Sequence, residues 1–65
     1  MGYSHKQVRL KGSQLTNTAK AVQWKFINPN TNLDQIEWIP YSHIDEIHLN
    51  EIVITDLIAR KIGVI

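Results

Sequence analysis

The chain predicts a small, mainly β domain with one short C-terminal helix, and three observations lead there. Apolar residues alternate with polar ones through several runs of five to nine residues, which is the period of a half-buried strand. Dense turn signals, Asn28-Pro29-Asn30-Thr31-Asn32 above all, separate those runs. The period changes only after Ile54, where Thr55-Asp56 opens a stretch with helical spacing that stops at Gly63.

Length sets the scale of the core. A chain of 65 residues is a single domain, and at this size only about 60% of the unfolded surface is buried on folding. There are no cysteines, so neither a disulfide framework nor a thiolate site supports the fold. Unstapled domains of this size often associate, so length and composition leave both a monomer and a homodimer open. No apolar run approaches the roughly 20 residues that span a bilayer, and no signal-peptide pattern is present at the N-terminus. These features predict a cytoplasmic protein that does not engage membranes.

Residues 1–5 show no period and are expected to form a loose arm, with the β-structure over 6–54 and the helix over 55–63. From Lys6, Val8 and Leu10 point one way and Gln7, Arg9 and Lys11 the other. Leu15 falls on the opposite parity to Val8 and Leu10, which a bulge or bend at Gly12 would repair. After a turn at Asn17-Thr18, Ala19 to Ile27 form the clearest strand, with Val22, Trp24 and Phe26 inward. The third strand, Leu33 to Ile39, is expected to place Ile36 and Trp38 inward and Gln35, Glu37 and Ile39 outward.

The segment Trp38-Ile39-Pro40-Tyr41-Ser42-His43-Ile44 ends one apolar run and starts the next. Proline has no N–H, so a strand reaching Pro40 stops pairing or lies at a sheet edge, and Ser42 supports a local turn. One turn of 3₁₀ helix is predicted there, with Tyr41 and His43 directed outward. Ile44 to Leu49 resume alternation with Ile47 and Leu49 inward, Asn50-Glu51 turn, and Ile52 to Ile54 form a last strand. Thr55 is suited to capping the helix, Asp56 and the Arg60-Lys61 pair suit its dipole, and Gly63 suits C′. Leu57, Ile58, Lys61 and Ile62 form the stripe expected to face the sheet, and Val64 and Ile65 need a groove or a partner. The predicted architecture is therefore an antiparallel β-barrel or strongly bent sheet of about five strands, SH3-like or alternatively OB-like.

The net charge is only +1, but its distribution is uneven. Lys6, Arg9, Lys11, Lys20 and Lys25 precede any acid, and Asp34, Glu37, Asp45, Glu46 and Glu51 follow before the next base, Arg60. The simpler explanation is cross-sheet pairing of a basic first hairpin with acidic later strands. The alternative is a basic patch for phosphate or an acidic protein.

No catalytic constellation is present. His43 and His48 are five apart, matching neither a strand face nor helical metal-ligand spacing. Gly2, Gly12 and Gly63 are isolated, and Ser13 and Ser42 have no identifiable base. The expectation is a protein that is not an enzyme and uses no cofactor or metal.

The segment Trp38-Ile39-Pro40-Tyr41-Ser42-His43-Ile44, with Lys20-Ala21-Val22 before it and a terminal helix ending at Gly63, resembles small proteins encoded by phages and other mobile elements. The resemblance covers about residues 18 to 65, departs at Tyr41 and His43, and carries no general function. By class analogy it implies a non-catalytic accessory protein that binds a host or phage protein complex in the host cell, including inhibitors of host defence of the anti-CRISPR type. Arg9, Lys11, Lys20, Lys25, Tyr41 and His43 are the candidate partner-binding residues. The alternative partner is DNA or RNA, with the basic hairpin on phosphate and Tyr41 or Tyr3 stacking on a base. In that weighing Trp24, Phe26 and Trp38 are all assigned to the core.

Overall fold

The computed structural model describes residues 6–65; the expected arm over 1–5 lies outside them. Five strands and two short helical elements follow in the order β1 (Gln7–Asn17), β2 (Ala21–Ile27), β3 (Asp34–Pro40), a 3₁₀ turn (Tyr41–His43), β4 (Ile44–Ile47), β5 (Glu51–Thr55) and α1 (Asp56–Lys61). The strands form one antiparallel sheet ordered β3-β2-β1-β5-β4.

That order forces strong bending. β3 and β4 lie at opposite edges of the sheet, yet only the three residues Tyr41–His43 connect them. In a flat five-strand sheet the edges would be about 19 Å apart, whereas one 3₁₀ turn advances only about 2 Å per residue. The sheet therefore curls until its edges approach, without a β3–β4 ladder to close it into a barrel.

β1 is where it bends. Its first half, Gln7 to Lys11, pairs with β5, and its second half, from Gly12 to Asn17, pairs with β2. Gly12 stands at the handover, with its N–H donated to the Asn50 carbonyl at 3.0 Å. The register shift lies further on, between Gln14 and Thr16, so Leu15 occupies a bulge and stays exposed. The β1–β2 turn is organised by Thr18, whose hydroxyl accepts the N–H groups of Lys20 and Ala21 at 3.2 and 3.1 Å.

The core lies on the concave face. Leu10, Val22, Trp24, Phe26, Ile39, Ile52, Ile54, Ile58, Ala59 and Val64 form one buried cluster, with Val8, Ile44 and Ile62 packed at its margin. Val22, Trp24 and Phe26 take the inward positions that their alternation predicts. β3 reverses the expectation: Ile39 is fully buried, while Ile36 and Trp38 face outward. The β2–β3 loop decides this. Asn28 donates its N–H to the Leu33 carbonyl at 2.9 Å, and Asn32 closes the loop with φ 62°, a conformation that Asn tolerates. With Asn28 and Leu33 as the closing pair, Trp24 stands opposite Glu37 and Val22 opposite Ile39. Directly opposite residues share a face, so Gln35, Glu37 and Ile39 turn inward.

The inward polar residues have partners. Gln35 donates to the Ile62 carbonyl at 2.6 Å and to Glu37 Oε2 at 2.8 Å. Buried Asn28 donates to Gln35 Oε1 at 2.8 Å and to the Gly63 carbonyl at 3.1 Å. The β2–β3 hairpin thereby satisfies the carbonyls of Ile62, the C-cap of α1, and of Gly63 just beyond it.

α1 is shorter than two turns. Thr55 holds the N-cap position but makes no capping bond; its hydroxyl contacts His43 Nδ1 at 2.9 Å instead. The C-terminus forms a Schellman motif, with Val64 N–H on Ala59 O at 3.0 Å, Gly63 N–H on Arg60 O at 3.2 Å, and Gly63 at φ 83°. Ile58 and Ala59 face the sheet, and Val64 fills the groove its side chain requires. Leu57, expected in the buried stripe, and Ile65 are exposed. On the other hairpin Ile47 opposes buried Ile52 but stays 40% exposed at the sheet edge, and Leu49, expected inward, is 94% exposed in the β4–β5 turn.

Candidate functional site

The convex face of the sheet divides into two chemically different halves at the bend in β1. On the β1-β5-β4 half the outward residues are mostly polar, and three polar pairs form among them. Arg9 Nη1 lies 3.0 Å from Glu51 Oε1, Gln7 Nε2 lies 3.1 Å from Asp45 Oδ2, and His48 Nε2 lies 2.9 Å from Glu46 Oε1. Val53, flanked on this face by Arg9 and Glu46, is completely shielded from solvent, as the stems of long charged side chains can achieve. The charge segregation along the chain is thus used in part for cross-sheet pairing.

Both partners of the Arg9–Glu51 pair remain solvent-accessible, so its energy is small. A double-mutant cycle with Arg9→Ala and Glu51→Ala should give a coupling of about 0.2–1 kcal/mol that shrinks as salt is raised. Urea denaturation at low and high ionic strength measures it. A coupling that is larger and independent of salt would contradict this account.

The β1-β2-β3 half is different. Leu15, Ile27, Ile36 and Trp38 are all exposed there, by 47–58%, and the ladder sets their relations: Ile36 opposes Lys25, Trp38 opposes Gln23 and Asp34 opposes Ile27. Ser13, on the other side of Lys25, continues the face onto β1. A half-exposed tryptophan among aliphatic side chains on regular strands is the kind of apolar patch that marks an interaction surface, and tryptophan is enriched among residues that dominate interface energies.

The six residues singled out from the sequence are not brought together. Arg9 and Lys11 lie on the polar half, Arg9 already paired with Glu51. Lys25 lies within the apolar half. Lys20 and Tyr41 meet at the far end of the β2–β3 hairpin, where Tyr41 N–H donates to the Lys20 carbonyl at 3.0 Å, and Tyr41 is exposed. His43 does not project freely: it is half-buried and bonded to Thr55. Sequence reasoning missed Ile36 and Trp38 because their alternation is that of core residues. The available signal was the adjacent Trp38-Ile39 pair, since only one of two neighbours on a strand can face the core.

Among the described residues no three His, Asp or Glu side chains converge as a metal site, and no helix is long and apolar enough to cross a membrane. Comparison of the chain with protein-family models, curated proteins and solved structures finds no match.

Proposed function

We propose that this protein is a non-catalytic binding module that docks another protein on the outer face of β1-β2-β3. The observation that carries the reading is the exposure of Ile27, Ile36 and Trp38, with Leu15, on one half of the outer face, set against a second half that exposes mainly polar side chains and ties three pairs of them together. The matching partner surface has an apolar centre for Trp38 and Ile36 and acidic groups at its rim for Lys20 and Lys25. The resemblance supports the narrower role of a phage or mobile-element accessory protein in the host cytoplasm, one that occludes a host defence complex by occupying one of its surfaces.

The test is capture from host lysate followed by reconstitution with the purified partner. Wild-type protein should retain a stoichiometric partner, Trp38→Lys should weaken binding by at least about 100-fold, the order of an interface hot spot, and Arg9→Glu should leave it near wild type. Equal retention by Trp38→Lys and wild type would remove the proposed surface.

A second reading has its own observation. Exposed Trp38 lies diagonally across the ladder from Lys25, a combination that can stack a base beside a phosphate contact. In that case single-stranded DNA or RNA quenches Trp38 emission, and binding weakens steeply with salt. Absence of binding at low salt excludes it.

A further inference from the structure

We propose that two copies of this chain pair through the free edge of β3, so that the two sheets become one continuous sheet across a two-fold axis. The proposal is independent of the protein-docking reading, because it rests on the backbone of β3 and not on the apolar patch alone.

The two edges of the sheet are protected unequally. β4 has four residues, a register shift between Ile44 and Glu46, and the adjacent acids Asp45 and Glu46, all features that discourage further pairing. β3 has seven residues in unbroken register with β2, and among the described residues no strand pairs with its other side. Its outward residues include exposed Ile36 and Trp38.

Backbone directions in β3 follow from two bonds. Asn28 N–H donates to Leu33 O, and Tyr41 N–H donates to Lys20 O, so Asn28–Leu33 and Lys20–Tyr41 are hydrogen-bonded pairs. Antiparallel pairs alternate, and therefore Gln35, Glu37 and Ile39 bond to β2. Asp34, Ile36 and Trp38 direct their N–H and C=O groups to the free edge. Pro40, which has no N–H, is the next residue in that outward series. The natural proline thus costs the β2–β3 ladder no donor.

One symmetric register uses this edge fully. With Ile36 on the two-fold axis it opposes Ile36 of the second copy, and Asp34 opposes Trp38 in both directions. All three outward-directed residues then form hydrogen-bonded pairs. On the concave face Gln35 falls opposite Glu37 of the other copy, an amide against a carboxylate. Centring on Glu37 would oppose two carboxylates and bring Pro40 into the ladder, and centring on Asp34 would oppose two aspartates. The favoured register places Ile36 and Trp38 of both copies on one outer face.

The chain has no native cysteine, so crosslinking can read both association and register. Sedimentation velocity over about 1–500 µM, the range that brackets micromolar affinity, should show a mass rising from 7.5 kDa toward twice that value. Ile36→Lys should abolish the rise with the urea midpoint unchanged, whereas Leu49→Lys, in the β4–β5 turn, should retain it. Under mild oxidation Ile36→Cys should crosslink to itself, since opposed residues of a hydrogen-bonded pair are about 5.5 Å apart at Cα, within disulfide reach. Asp34→Cys should crosslink with Trp38→Cys faster than with itself. A 7.5 kDa mass at the highest concentration would overturn the proposal, as would an Ile36→Lys protein that still associates or an Ile36→Cys protein that oxidises no faster than Leu49→Cys. A monomer that captures a protein through Trp38 would overturn pairing and leave docking intact; a dimer that captures none would do the reverse.

Discussion

Gly12→Ala should leave the sheet with little or no stability at 25 °C. Gly12 stands where β1 passes from β5 to β2, and a Cβ there would lie 2.0 Å from the Lys25 carbonyl oxygen and 2.9 Å from Trp24 Nε1. The first obstacle is backbone of the neighbouring strand, so relief requires β1 and β2 to separate where the sheet bends. Overpacking of ordinary side chains costs about 1–3 kcal/mol, and a clash with fixed backbone belongs at or above the top of that range. Small domains have about 5 kcal/mol to lose. At about 1 kcal/mol per molar urea, the midpoint should fall by about 3 M or folding should fail. Gly63→Ala provides the contrast: it has open space around the new Cβ and only its φ of 83° to oppose the change, so a loss of about 1 kcal/mol is expected. Equal midpoints for Gly12→Ala and wild type would show that β1 does not bend as described.

The two tryptophans should behave as opposites. Trp24 is fully buried and central to the core, while Trp38 is 47% exposed on the convex face. Trp24→Ala should cost about 3–5 kcal/mol, nearly the whole stability of such a domain. Trp38→Ala should change stability by about 0.5 kcal/mol or less and remove partner binding. The Trp24 indole N–H is buried without a hydrogen-bond partner among the described residues. Trp24→Phe therefore removes an unsatisfied donor along with volume, and the protein should tolerate it far better than alanine. This makes single-tryptophan proteins accessible. With Trp38→Phe the remaining emission should be blue-shifted and resist acrylamide; with Trp24→Phe it should be red-shifted and readily quenched. The reverse pattern would place Ile36 and Trp38 in the core and Ile39 outside.

The fold was largely legible because its strongest signals are local. Val8 and Leu10, then Val22, Trp24 and Phe26, alternate cleanly, and their burial follows from a period that neighbouring residues set by themselves. Pro40 announced an edge position, Tyr41–His43 the 3₁₀ turn, and Gly63 the helix stop, each through a backbone property of one residue. The candidate surface was not legible in the same way. Tyr41 and His43 were favoured because a turn exposes side chains, but Thr55 draws His43 partly inward, and the basic residues are split between two faces that diverge at the bend.

The amino-acid sequence by itself determined the mainly β class, the places of the turns, the inward face of β2, and the terminal helix with its glycine stop. Only the tertiary structure decided the face of β3. Asp34 to Ile39 contain Ile36 and Trp38 on one parity and Ile39 on the other, and local alternation favours the pair. The loop closed by Asn28 and Leu33 sets the opposite register, and Gln35 then reaches the Ile62 carbonyl, 27 residues away in the chain. A register shift of one residue exchanges the faces of a strand. Its choice depends on loop closure and on contacts distant in sequence, and here that choice turned a tryptophan assigned to the core into the centre of the exposed surface.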